Sequence, residues 1–512
     1  MRRAILVVMD GWGLAPEGPG NYILQAKTPN FDHLFRTYPH TRNKASGEAV
    51  GLPKGSQGNS EVGHLHMGAG RIVFQPFERI NRSIKDKTFF SNKALVGAID
   101  FAKRNNSSLH LIGLCSDEGV HAHTDHLFAL LRMAKKMKAK KIFIHFIADG
   151  RDVPEKSAEK YVAIVEKEAK KAGARIASVC GRYYAMDRDN NWGRTKAAYD
   201  LLVHGKGFLA KNAKDAIKQA YKRGEKTDYY IKPTLIADRK KKPVALIENG
   251  DSVIFFNFRT DRPRQLTAAF EKKSFRKFKR GKTPKILFTT MARYDKSFSC
   301  PFAYRELPIK NSLGEVLSKA NVRQLRIAET EKYAHVTYFF NSQIEKPYPE
   351  EKRVLIPSPK VPSYDLKPEM SAYSVRDRLV KEIDKKRFDF ILVNFANCDL
   401  VGHSAAKKAI IRAVETVDEC IGDVAKAGLE NGYTVVLTAD HGSAEDKLYP
   451  DGKPKPAHST NLVPFIVVSN DERLRKAKLR RGGQKAVAPT ILEIMGIKKP
   501  KAMDGESLIT SG

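Results

Sequence analysis

Short continuous apolar runs, each closed by polar and reactive residues, constrain this chain more than any other feature. Ala4-Ile5-Leu6-Val7-Val8-Met9 is such a run, and it ends in Asp10-Gly11-Trp12-Gly13. An apolar run without alternation is the pattern of a strand buried on both faces, as in a parallel sheet covered by helices. Leu109–Leu114, Lys141–Ile147, Arg175–Val179, Ser252–Phe256 and Lys285–Thr289 read as short buried strands in the middle of the chain. Phe388–Phe395, Tyr433–Ala439 and Val463–Val468 do so towards its end. Helical spacing separates them, over Leu127–Met137, over Ala158–Ala172, and in the stripe Ile410, Ile411, Val414, Val417, Ile421 and Val424. Strands alternating with helices predict an α/β protein.

At 512 residues the chain exceeds one ordinary core, so two domains are expected. Val73-Phe74-Gln75-Pro76-Phe77 and Glu306-Leu307-Pro308-Ile309 read as crossovers between them. No apolar run has the length of a membrane span. Met1-Arg2-Arg3 followed by Ala4 to Met9 imitates a signal peptide, but the run is short and stops at Asp10, so a cytoplasmic protein is expected. The five cysteines (115, 180, 300, 398 and 420) lack metal-binding or paired spacing and are expected as free thiols. The formal net charge of +34 is large, with clusters at Arg132–Lys141, Arg239–Lys242, Lys272–Lys282 and Arg473–Arg481. No nucleic-acid-binding motif accompanies it, so the clusters read as solvated faces. The field would still attract a small, highly anionic substrate.

In parallel α/β sheets, chemistry collects at the carboxyl ends of strands. The runs in the middle of this chain are followed by Ser116 to His123, by Asp149-Gly150-Arg151-Asp152, by Gly181-Arg182 to Arg188, and by Asn257 to Arg262. That places Arg151, Arg182, Arg188, Arg259 and Arg262 just past strand ends. The guanidinium fork binds phosphate and carboxylate, so the set predicts a pocket for a small molecule with several negative groups.

Gly55-Ser56-Gln57-Gly58-Asn59-Ser60-Glu61-Val62-Gly63-His64 presents one hydroxyl, Ser60, among glycines that let a ligand come close. No Gly-x-Ser-x-Gly elbow frames it, so a metal is the expected activator. By itself the stretch also reads as a solvated loop. Candidate ligands are Asp10, Asp399, His403, Asp440, His441 and His458, each beside a strand end. Carboxylate and imidazole without thiolate suit zinc, manganese or iron in a reactive site. Neighbouring Asp440 and His441 reach one ion only from a turn. Six such ligands are enough for two metals, which can stabilise attacking and leaving oxygens in phosphoryl transfer. Lys332, in Thr330-Glu331-Lys332-Tyr333-Ala334-His335, reads on its own as a solvated charge.

Taken together, Val8 to Gly13, Gln57 to His64, Asp149 to Asp152, Gly181 to Asp189, Asn257 to Arg262 and Thr438-Ala439-Asp440-His441-Gly442 closely resemble the cofactor-independent phosphoglycerate mutases of the alkaline phosphatase superfamily. The resemblance implies an alkaline-phosphatase-like domain, residues 1–75 and 310–512, with a second α/β domain, 76–309, inserted as the phosphotransferase part, and an active site in the interdomain cleft. It implies two divalent ions, manganese foremost. Asp10, Ser60, Asp440 and His441 would hold one, and Asp399, His403 and His458 the other. His121, Arg151, Asp152, Arg182, Arg188, Arg259 and Arg262 would bind the phosphoglycerate, with Lys332 at the transferring phosphoryl group. Ser60 would become a phosphoserine in converting 3-phosphoglycerate to 2-phosphoglycerate, with Asp152 as acid and base. A monomer is implied, with no membrane and no specific nucleic-acid partner. A metal-dependent phosphatase or a phosphopentomutase of the superfamily would share the metal ligands but lack the arginine set. Glu155, where the family pattern has a second proline after Val153-Pro154, and the basic surface depart from it.

Overall fold

A computed structural model describes residues 2–305 and 308–510. Glu306 and Leu307, half of the second expected crossover, lie outside the described residues. The chain forms two compact units, one of residues 1–75 with 308–512 and one of residues 76–307.

The first unit opens with β1 (Arg3–Met9) and β2 (His40–Lys44). The second holds β3 (Leu109–Leu114), β4 (Ile142–Ala148), β5 (Ala174–Gly181), β6 (Phe208–Ala210), β7 (Thr234–Ile236), β8 (Ser252–Phe255), β9 (Leu287–Ala292) and β10 (Phe302–Tyr304). The first resumes with β11 (Gln324–Glu329), β12 (Glu351–Ile356), β13 (Phe390–Phe395), β14 (Tyr433–Thr438), β15 (Val463–Val468), β16 (Lys478–Leu479), β17 (Gly482–Gly483) and β18 (Ile509–Thr510).

In the first unit the sheet order is β12-β11-β13-β1-β14-β15-β2-β17. β1 lies between β13 and β14 and is parallel to both. Its apolar run lacks alternation because both faces are covered. Ile5, Val7 and Met9 enter one core with Val393, Val414 and Leu437. Ala4, Leu6 and Val8 enter another with Leu392, Val436 and Ile491. Burying six such side chains stabilises the sheet by about 1.5–3 kcal/mol for each large one. β15 turns antiparallel to β14 and β2 antiparallel to β15. The parallel strands β11, β13, β1 and β14 therefore bring their carboxyl ends together.

The second unit has the order β10-β9-β8-β3-β4-β5-β7-β6 around a single core, with β9, β8, β3, β4 and β5 parallel. Some bounds differ from the sequence expectation. The helix expected over Leu127–Met137 runs over Thr124–Lys136, because the His123 side chain accepts from the Asp125 amide and starts it early. The strand expected at Lys285–Thr289 is β9, later by two residues or more at each end, because the Lys285 amide donates to the Asn249 side chain instead of to the sheet. The loop around Ser60 is a loop only as far as Asn59. Ser60–Ala69 is a helix, capped by Asn59 accepting from the Val62 amide at 2.9 Å. Among the described residues no helix is long and apolar enough to cross a membrane.

Candidate active site

Ser60 is the first residue of its helix and is 6 % exposed, so it is not part of a solvated loop. That position puts its hydroxyl at the positive end of a helix dipole, which favours anions. Gly63 lets the helix settle on the loop after β14, since a Cβ there would stand 2.7 Å from Asp440 Cβ. Gly11, at φ +79°, similarly brings the loop after β1 against the Asp399 backbone.

These approaches gather the strand ends of the first unit around Ser60. Its Oγ lies 3.1 Å from Asp10 Oδ1, 3.1 Å from His441 Nε2 and 2.7 Å from Lys332 Nζ. Lys332 is buried, not a solvated charge, and also donates to Asp10 Oδ1 at 2.8 Å and Asp399 Oδ2 at 2.5 Å. Asp440 and His441 do sit in a turn after β14, and His441 Nε2 lies 3.5 Å from Asp10 Oδ1, 3.7 Å from Asp440 Oδ2 and 3.8 Å from Asp399 Oδ1.

Among the described residues, two triads have ligand atoms within 4.8 Å of one another: Asp10, Asp440 and His441, and Asp399, His441 and His458. His441 thus stands between the two ligand groups. His403 and His458 bring their Nε2 atoms to 3.3 Å from each other, at 3.3 and 2.9 Å from Asp399 Oδ1. Their Nδ1 atoms are held by carbonyl oxygens, Pro456 O at 3.1 Å and Gly58 O at 2.8 Å. Those bonds turn each Nε2 towards Asp399, where a ring with its hydrogen on Nδ1 would offer a lone pair to a cation.

The electrostatics point the same way. Asp10, Asp399 and Asp440 are buried carboxylates with one ammonium, Lys332, among them. Burial, reinforced by Asp440, pushes the Asp10 carboxyl up to about 6. Burial also opposes the charge of Asp440, yet His441, His64 and Lys332 hold it below the usual carboxylate range. Against burial, Lys332, His403 and His458 hold Asp399 well below that range. Among the described residues, buried Asp440 Oδ2 has no hydrogen-bond partner, and His64 Nδ1 stands 3.4 Å from it. Three carboxylates share this buried site with one lysine, and the Nε2 atoms of His403 and His458 converge on it. That donor set fits divalent cations.

The second unit gathers the other expected residues. Arg182, 1 % exposed, places Nη1 2.5 Å from Asp149 Oδ1 and 2.6 Å from Asp152 Oδ2. His121 Nε2 is 3.9 Å from Asp152 Oδ2, and its Nδ1 is 3.7 Å from Asp261 Oδ1. Asp261 also meets Arg188 Nη1 at 2.7 Å and Arg259 Nε at 3.2 Å. Arg262 is buried and donates to Met186 O, within the field of Arg182, Arg188 and Arg151. Arg151 lies over the Tyr229 ring at 5.9 Å. Burial and the Arg182 charge press the His121 imidazole down to about 4, so it is neutral at pH 7.

Sequence reasoning missed the groups that hold these in place. Asn394 Nδ2 donates to Asp10 Oδ2 at 2.7 Å and faces His64 Nε2 at 3.1 Å. Glu445 accepts from the amides of Gly13 and Ser443 and from Asn461 Nδ2 at 3.0 Å. Asp149 and Asp261 pair the arginines. The signal for Asn394 was a polar residue inside the apolar run Phe388–Phe395.

A family model described as the N-terminus of BPG-independent PGAM matches residues 80–296. A second, described as type I phosphodiesterase / nucleotide pyrophosphatase, matches residues 311–451. The 2,3-bisphosphoglycerate-independent phosphoglycerate mutase of Moorella thermoacetica is 52% identical, over 100% of this chain and 99% of its own. One from Methanosarcina acetivorans is 52% identical over 99% and 98%. A crystal structure of Leishmania mexicana phosphoglycerate mutase at low cobalt concentration is 31% identical and superposes with a TM-score of 0.63, covering 100% of this chain and 98% of that one. With such likeness running from end to end over both units, the chain belongs to the family of 2,3-bisphosphoglycerate-independent phosphoglycerate mutases.

Proposed function

We propose that the protein interconverts 3-phosphoglycerate and 2-phosphoglycerate without bisphosphoglycerate, through a phosphoserine at Ser60. The observation that carries this is the buried Ser60 hydroxyl at a helix N-terminus, within 3.1 Å of Asp10 and His441 and 2.7 Å from Lys332. The names of the full-length relatives support the substrate.

In this reading the arginines, with His121, hold the carboxylate and phosphate of the substrate. Ser60 Oγ attacks phosphorus and the bond to the 3-oxygen breaks. Asp152 gives a proton to the departing 3-oxygen, then takes one from the 2-hydroxyl, which attacks the phosphoserine and frees Ser60. The Lys332 ammonium neutralises charge on the transferring group. Two divalent ions, which we propose are manganese, held by Asp10, Ser60, Asp440 and His441 and by Asp399, His403 and His458, would add positive charge and favour the ionised serine. That both units act on one substrate is part of the proposal. So are a monomeric state, a cytoplasmic location and a place in glycolysis and gluconeogenesis.

The test is conversion of 3-phosphoglycerate by metal-stripped protein, with and without manganese and with no bisphosphoglycerate. Product 2-phosphoglycerate only with metal, lost in Ser60→Ala, is the expected outcome. Release of free phosphate would make the protein a phosphatase. Substantial turnover by Ser60→Ala would overturn the nucleophile.

A further inference from the structure

Lys447 is fully buried in the stretch that follows Asp440 and His441. An ammonium buried this way is costly unless its three N–H groups are all accepted. All three find acceptors, at 3.2 Å to Gly402 O, 3.1 Å to Ser443 Oγ and 3.2 Å to Ala457 O. Gly402 immediately precedes His403, and Ala457 immediately precedes His458. Ser443 lies two residues beyond His441. The carbonyl one step earlier, Pro456 O, accepts from His403 Nδ1. The backbone turns that carry the two facing imidazoles are therefore tied to each other and to the Asp440-His441 turn by one side chain. Gly402 permits the approach, since a Cβ there would stand 2.7 Å from Ser443 Oγ. The bonds of its ammonium go to the scaffold of the imidazole pair, through Gly402 O and Ala457 O, and to Ser443.

We propose that Lys447 is a positioning residue for the His403–His458 half of the metal centre, fixing the separation of the two imidazoles and so the affinity of that half for a divalent cation. This rests on the metal-centre reading given above. A neutral side chain of similar length would leave Gly402 O and Ala457 O without their shared donor, and the two turns would drift apart. The other half, built on Asp10 and Asp440, has its own supports in Asn394 and His64 and would be unaffected.

The experiment is calorimetric titration of manganese into metal-stripped wild type and Lys447→Met, with thermal melting of both metal-free proteins alongside. The expected result is two ions for wild type, and for the variant one ion bound as in wild type and one at least ten-fold more weakly. At saturating manganese the variant's kcat should return to within a few-fold of wild type. Identical isotherms, with only a lower melting temperature, would overturn the proposal and leave Lys447 a lock on the fold. If Lys447→Met does not fold, Ser443→Ala decides, since it removes one acceptor and keeps the ammonium. A selective weakening of one ion supports the proposal, and two unchanged affinities overturn it. Wild type binding no divalent ion would instead overturn the metal-centre reading itself.

Discussion

Arg182 holds two carboxylates with one nitrogen: its Nη1 stands 2.5 Å from Asp149 Oδ1 and 2.6 Å from Asp152 Oδ2. Asp149 is also anchored by the Ser116 hydroxyl at 2.7 Å, so Arg182 fixes Asp152 from a rigid base. Asp152→Asn keeps the shape and loses the proposed proton carrier, so kcat should fall about 10²–10⁴-fold with KM little changed. Steady-state kinetics in both directions checks this. Arg182→Met leaves buried Asp149 without its cation and should cost the second unit about 3–5 kcal/mol, read from denaturant unfolding.

Stripping the metals should destabilise the first unit specifically. Asp10, Asp399 and Asp440 repel one another in a buried site, offset by the Lys332 ammonium and the neighbouring imidazoles. Added manganese should raise its melting temperature with concentration, by about 2.7 kcal/mol of stability at one hundred times the dissociation constant. Scanning calorimetry with increasing manganese reads this, and Asp440→Asn should reduce the response.

Gly63→Ala tests the seat of the proposed nucleophile. The added Cβ would meet Asp440 Cβ at 2.7 Å and Asp440 O at 2.8 Å. Neither the helix nor the strand end can yield without moving Ser60 from Lys332. Activity should fall at least ten-fold, and stability by about 1–3 kcal/mol. The paired measurement is kcat together with the urea midpoint.

Acid should unfold the second unit through its buried histidines. Burial holds His126 down to about 3 and His145 well below the ordinary imidazole value, and burial with Arg182 holds His121 to about 4. Above pH 6.5 both folded and unfolded imidazoles are neutral and the stability is fully present. Below it the unfolded chain takes protons that the folded state refuses, down to about 4 for His121 and about 3 for His126. Stability should therefore fall between pH 6.5 and 4, by about 1.4 kcal/mol per pH unit for each such group. Urea unfolding at stepped pH checks the slope, and His126→Gln should make it shallower.

Much of this was legible in the chain itself. Strands β1, β3, β13, β14 and β15 were apolar runs because both faces of their sheets are covered, and the polar ends of β1, β13 and β14 marked Asp10, Asp399 and Asp440. β2 was not legible, since His40–Lys44 is a polar strand towards the sheet edge that buries only Thr41 and Asn43. Lys332 was misleading for the opposite reason: its short polar segment looks solvated, and only the fold brings Asp10 and Asp399 to its ammonium. Asn394, Glu445 and Lys447 act through bonds to residues distant in sequence or to backbone carbonyls, which no local spacing announces.

The place of β1 has a consequence for how the protein is made. Its hydrogen-bonding neighbours, β13 and β14, begin only at Phe390 and Tyr433. A ribosome adding roughly 5–20 residues per second needs on the order of half a minute to travel from Met9 to those strands. Through that interval an apolar strand of the first unit has no partner, while residues 76–307 emerge as one continuous stretch able to close their own core. The nascent chain thus carries a finished inner unit and an unsatisfied sticky N-terminal segment at the same time, which makes that segment the natural client of a chaperone.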